Sequence, residues 1–305
     1  MRGKILVIRG GAIGDFILTL PAIAALRKQF PDAHLEVLGY PHIVQLAVVG
    51  NLVDRVQSIE AGPLAGFFAR NGTLNPELME YFAGFNLIVS YLFDPDEIFK
   101  TNIARCTKAQ FIVGPHRPNE AEALHASKVY LKPLERLAIF DADELPRLSI
   151  NDQPSAISQI ALHPGSGSEK KNWPEEKWAE LIRVLLVETK HSLLIVGGEA
   201  EGERLQRLAA ALPPARIRVA QSLPLAELAR LLQGCSAFVG HDSGVSHLAA
   251  ALGLRGIILW GETNEAVWRP PHEGIAIVRN ELGLKKISVE QVLTELKPLL
   301  SEQGV

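Results

Sequence analysis

A chain of 305 residues, 47% apolar and 21% charged, has room for about two ordinary domains and can bury its cores without metal or disulfide support. Its formal net charge of −3 provides no bulk field for nucleic acid. Two widely separated cysteines, Cys106 and Cys235, form neither a C-x-x-C pair nor a metal cluster and read as packed thiols of a cytosolic protein. The apolar run at 5–8 is shorter than a signal-peptide core, and no stretch approaches the ~20 apolar residues of a membrane span. The expectation is a soluble cytoplasmic protein. Peripheral contact with the inner membrane surface is compatible with this composition.

In chain order, a short strand is predicted at 4–8, followed by the glycines Gly10, Gly11 and Gly14 and by an amphipathic helix over 15–30, whose apolar residues Phe16, Ile17, Leu20, Ile23, Ala24 and Leu26 follow a helical period. Strands are predicted at 35–38, 86–92 and 111–113. The pattern then restarts with a strand at 159–162, a helix from Pro174 to about 188, a strand at 192–196, and helices at 201–212 and 225–233, the latter stopped by Gly234. A strand at 237–240, a helix beginning near Val245, a strand at 256–260 and a final helix at 289–300 complete it. Strands alternating with helices imply mainly parallel sheets covered on both faces, in two α/β halves that meet in the polar stretch 151–158.

Three segments carry chemistry. The first, GGAIGD at 10–15, is a strand-to-helix loop. Gly11 and Gly14 let a ligand approach the backbone closely, although the spacing is not that of a dinucleotide fingerprint. Asp15 stands where the helix starts. It can cap the helix, or it can face the crevice at the carboxyl ends of the strands and act as a general base. The second, HPGSGSEKKNWPEEKW at 163–178, offers the hydroxyls of Ser166 and Ser168 and the ammonium of Lys171 to one anion, without the spacing of a Walker loop. Lys170 is the better candidate for a solvated charge. The third, FVGHDSGVSHLAAALG at 238–253, ends a buried strand and opens a helix. Its N–H groups at Ser243, Gly244 and Val245 can meet a diphosphate, with Asp242 capping or orienting them. His247 lies in the first turn and either bonds an anion or is structural.

In that order, GAIGDFILTLPAIAALR, HPGSGSEKKNWPEEKW and HDSGVSHLAAALG resemble the lipopolysaccharide heptosyltransferase family, glycosyltransferase family 9. The resemblance implies the GT-B fold: two Rossmann-like domains facing a central cleft, with the acceptor on residues 1–152, the donor on 153–305, and the last helix packing back on the first half. It implies an inverting transferase without metal or cofactor, taking a nucleotide-sugar donor, ADP-heptose, and a glycan or glycolipid acceptor. Asp15 falls on the family's base; Ser166, Ser168 and Lys171 on its phosphate loop; Asp242, Ser243, Gly244 and His247 on its D-x-G-x-x-H motif; and Glu201 on its ribose-binding acid, with Glu199 and Glu203 competing. The family's G-P-T is replaced by Gly261-Glu262-Thr263, and the first half is short.

Asp94-Pro95-Asp96 and Asp141-Ala142-Asp143 match D-x-D but read as structural or surface features. Asp94 follows a strand and joins Arg117 as an acceptor-side candidate; Lys100, Arg105, Lys108, His116 and Lys128 are further basic residues of that half. Two alternatives stand beside a transferase: a sugar-nucleotide epimerase of the same fold, and a non-catalytic nucleotide-sugar binder.

Overall fold

Strand β1 (Lys4–Arg9) buries Ile5 to Arg9 without interruption, the pattern of an interior strand in a parallel sheet covered on both faces. It is the centre of the first of two units into which the chain divides, Met1–Pro146 and Arg147–Val305. The computed structural model describes residues 3–150, 158–210 and 213–301, so the junction expected at 151–158 falls, but for its last residue, outside the described residues.

After β1 the first unit runs α1 (Ile13–Gln29), β2 (His34–Gly39), α2 (Pro41–Val49), β3 (Arg55–Ser58), α3 (Pro76–Ala83), β4 (Leu87–Ser90), α4 (Ile98–Ala104), β5 (Gln110–Val113) and α5 (Ala126–Leu131). Its strands pair in parallel in the order β3-β2-β1-β4-β5. Helix α1 buries an unbroken run from Phe16 to Ile23 because α2 and α5 pack against it. Below the sheet, Leu6, Ile8 and Ile88 pack with Phe67, Phe82 and Phe99, the first two of those rings 5.0 Å apart.

The second unit contains β6 (Gln159–Leu162), α6 (Glu175–Glu188), β7 (Ser192–Gly197), α7 (Gly202–Ala210), β8 (Ile217–Gln221), α8 (Leu225–Gln233), β9 (Ala237–His241), α9 (Gly244–Ala251), β10 (Gly256–Leu259), α10 (Glu265–Trp268), β11 (Ile275–Val278) and α11 (Val289–Ser301). Its six strands are parallel, in the order β11-β10-β9-β6-β7-β8. Helix α11, expected to pack back on the first half, lays Val289, Val292 and Leu296 into the core of its own unit, because those residues form one stripe along the helix.

Both sheets are doubly wound. In the first the strand order reverses between β1 and β4, in the second between β6 and β9. At such a reversal neighbouring connections leave in opposite directions and open a crevice beyond the carboxyl ends of the strands. Among the described residues no helix is long and apolar enough to cross a membrane.

Candidate functional site

The reversal in the first unit opens a pocket of about 440 Å³ whose wall includes Gly11, Asp15, Tyr40, Phe93, His116 and Arg117. Asp15 both caps the helix and lines the pocket. Its Oδ2 accepts the Ala12 N–H at 3.1 Å, closing the first turn of α1, while its side chain stays 22% exposed in the pocket wall. Gly11 makes this possible: its φ is +99°, and a Cβ there would lie 3.0 Å from Asp15 Oδ2. Gly14 sits in the first turn of α1 and is not among the lining residues.

Arg9, which the sequence did not single out, lies beneath this pocket with its side chain 2% exposed. Its Nη1 donates to the carbonyls of His116 and Tyr91 at 2.9 and 3.4 Å. Its Nη2 donates to the Asp15 carbonyl at 3.3 Å and stands 3.5 Å from Asp15 Oδ1, and the guanidinium lies over the Tyr130 ring. One buried cation therefore ties together the loops after β1, β4 and β5, and Asp15 is the carboxylate that meets its charge. Burial, then the Arg117 and Arg9 cations, lower the pKa of His116, whose ring packs 4.6 Å from that of Phe93. Phe93 itself is 70% exposed at the pocket rim.

Asp94 is placed differently from Asp15. Its oxygens accept the N–H groups of Phe99 and Lys100 at 3.1 and 3.0 Å, so it caps the start of α4 and does not line the pocket. Arg117 lines it. Lys100, Arg105 and Lys128 are engaged by Glu97, by Gly72 and Asn102, and by Glu144.

In the second unit the loop 164–172 follows β6, and Asp242 and Ser243 follow β9. The two loops meet: Lys171 Nζ donates to Asp242 Oδ2 at 2.6 Å, with Asp242 10% exposed. Ser166 Oγ reaches the Ser168 carbonyl and Asn172 Oδ1, so its hydrogen is used within the loop. The side chain of Ser168 stands exposed at the start of the turn that carries Lys171. Glu201 is 8% exposed and accepts from the N–H groups of Gly167 and Gly198 at 3.1 and 2.9 Å. A Cβ at position 165 would fall 2.1 Å from Glu201 Cγ, so that close approach requires Gly165. Among the three competing glutamates, Glu201 is the one that touches the loop.

Ser243 caps α9 and accepts the Ser246 N–H; its hydroxyl lies 3.2 Å from both Ser246 Oγ and His163 Nδ1. Ser246 Oγ in turn donates to the His241 carbonyl. The Ser243 hydroxyl is thus turned inward, and helix geometry leaves the N–H groups of Gly244 and Val245 to face an anion. His247, in the first turn of α9, is 5% exposed.

Two further buried histidines hold this site. His241 is fully buried; its Nε2 accepts the Trp173 N–H at 2.9 Å and its Nδ1 lies 3.3 Å from the Gly165 carbonyl. Burial pushes its pKa down to about 3, and that of His163 down to about 4. Both rings are therefore neutral in the fold but titrate near ~6.5 when unfolded. Lowered folded values mean that their contribution to stability is complete above about pH 6.5 and is lost as pH falls from there toward 4 and then 3. Unfolding free energy measured in urea is expected to drop below pH 6.5 with a slope of up to ~2.7 kcal/mol per pH unit, two protons' worth. The double variant His163→Gln/His241→Gln should flatten that slope.

The sequence pattern of glycosyltransferase family 9 (heptosyltransferase) matches residues 121–297. Lipopolysaccharide heptosyltransferase 1 of Pseudomonas aeruginosa is 27% identical over 296 residues, covering 86% of this chain and 79% of that protein. The Escherichia coli K12 enzyme of the same name is 35% identical over 139 residues, and the matching segment spans 43% of its length. The solved structure of the E. coli heptosyltransferase WaaC with ADP superposes with a TM-score of 0.76 at 19% identity, over 97% of this chain and 99% of that one. The likeness identifies the architecture as GT-B.

Proposed function

Because the chain belongs to glycosyltransferase family 9, we propose that it transfers a heptose from ADP-heptose to a hydroxyl of a lipopolysaccharide core or related glycan, inverting the anomeric centre without a metal ion. The observation that carries this reading is the meeting of the loops after β6 and β9, where Lys171 and the N–H groups of Gly244 and Val245 form a cradle suited to a pyrophosphate. The second unit takes the donor, and the first takes the acceptor in the pocket beside Asp15. Ser168 and His247 add donor-side contacts, Ser166 and Ser243 act through the loops that they brace, and the remaining lone pairs of Glu201 accept from the ribose. A lipid-borne acceptor would be met in peripheral contact with the cytoplasmic membrane face.

The acceptor hydroxyl gives its proton to Asp15 as its oxygen attacks the anomeric carbon from the side opposite the nucleotide. A new glycosidic bond forms while the bond to the diphosphate breaks, and its electron pair leaves with ADP. Lys171 and the two N–H groups meet the charge that grows on that diphosphate, so the chain's own groups supply the neutralisation.

Thermal unfolding with ADP, UDP, GDP and CDP tests the donor. ADP at 100 times its Kd is expected to add about 2.7 kcal/mol and to raise Tm by a few degrees, with smaller shifts for the others. A larger shift with UDP or GDP would remove ADP-heptose as donor. Transfer from ADP-heptose to core oligosaccharide, with the product's anomeric configuration read by NMR, tests inversion. Turnover that needs no acceptor would identify an epimerase instead.

A further inference from the structure

We infer that His241 is a positioning residue of the donor site, pinning both ends of the 164–172 loop to the end of β9 so that the anion cradle is formed before any ligand arrives. This role rests on the nucleotide-sugar reading of the second unit proposed above. A neutral imidazole has one donor and one acceptor nitrogen. Since Nε2 accepts the Trp173 N–H, the proton sits on Nδ1, where it donates to the Gly165 carbonyl. Gly165 stands near the start of the loop and Trp173 just past its end, so one ring closes the loop on itself. The ring is held in turn by Trp178, edge-on with centroids 5.4 Å apart. Its backbone belongs to β9, an interior strand paired with both β6 and β10. The next residue, Asp242, grips Lys171, so two consecutive residues fix the loop's ends and its cation.

A loop held in this way has little conformational freedom left to lose on binding, whereas a free loop would spend binding energy on being ordered. His241→Leu keeps the volume but leaves the Trp173 N–H and the Gly165 carbonyl without partners. The leucine variant is expected to bind ADP at least about tenfold more weakly by calorimetry, a factor corresponding to one lost hydrogen bond or more. In the same variant, amides of residues 165–173 should exchange hydrogen faster without nucleotide. His241→Gln, with an amide that both donates and accepts, should bind ADP within about threefold of the parent. ADP affinity in the leucine variant equal to the parent's would overturn the inference, and so would unchanged loop exchange.

If the leucine variant does not fold, the parent and the glutamine variant decide. In the parent, the Trp173 amide must already be protected without nucleotide, and ADP must add little protection to the loop. A loop that exchanges freely until ADP arrives would sink the pinning role. A parent that binds no ADP at all would instead count against the nucleotide-sugar reading, with the exchange of Trp173 in parent and glutamine variant still testing the pin.

Discussion

Asp15→Asn is expected to lower the turnover of sugar transfer by about 10²–10⁴-fold while leaving the Tm shift produced by ADP unchanged. The asparagine keeps an oxygen that can accept the Ala12 N–H, so the first turn of α1 stays closed. What it removes is the group that takes the acceptor proton. Asp15→Ala would mix two effects, because it also loses the cap, at a cost of about 1 kcal/mol. Either substitution takes the carboxylate away from Arg9, whose side chain is 2% exposed, and a buried cation left without its partner is strongly destabilising. Turnover must therefore be measured below the unfolding midpoint of the variant. Near-parental transfer by folded Asp15→Asn would show that another group accepts the proton.

The second large effect is expected at Lys171. Lys171→Met keeps the aliphatic stem and removes the charge, and should weaken ADP by roughly 10- to 100-fold in calorimetry, the range for a charged hydrogen bond worth about 1.5–3 kcal/mol. Asp242, 10% exposed, then stands beside the incoming diphosphate without its cation and repels it. The companion variant Asp242→Asn separates the two contributions: combined with Lys171→Met it should recover part of the lost affinity. ADP affinity unaffected by Lys171→Met would remove the lysine from the phosphate site.

The central strands were legible in the sequence because an interior parallel strand reads as a continuous apolar run: residues 4–8 and 159–162 needed little else. Of the edge strands, β5 was read at 111–113, but β3, β8 and β11 were not. In β8, Arg218 and Val219 face outward, and β3 has no buried residue, so neither shows a strand period against its loops. Helices α2 and α3 also went unread, although Pro41 and Pro76 stand at their first positions and Asn75 caps the second. At the sites, Asp15, Lys171 and Asp242 lie inside recognisable motifs. The holding roles were not legible even for His241, which lies inside the third segment, because the partners are distant in sequence: His241 meets Trp173 and Gly165 across separations of 68 and 76 residues, and Arg9 meets His116 across 107. The rivalry among Glu199, Glu201 and Glu203 is equally unreadable from composition, since only the turn before α7 determines which carboxylate reaches Gly167.

Each sheet doubles back once, and each set of site loops hangs from its own sheet and its own core. Under the proposed roles, giver and receiver are recognised by loops built on separate cores. Altering Tyr40 or Phe93 at the mouth of the first pocket need not disturb how Lys171, Asp242 and His241 lock together. Under that assignment, evolution or an engineer could exchange the molecule that is decorated through a few side chains of the first pocket while the supply of activated sugar stays the same.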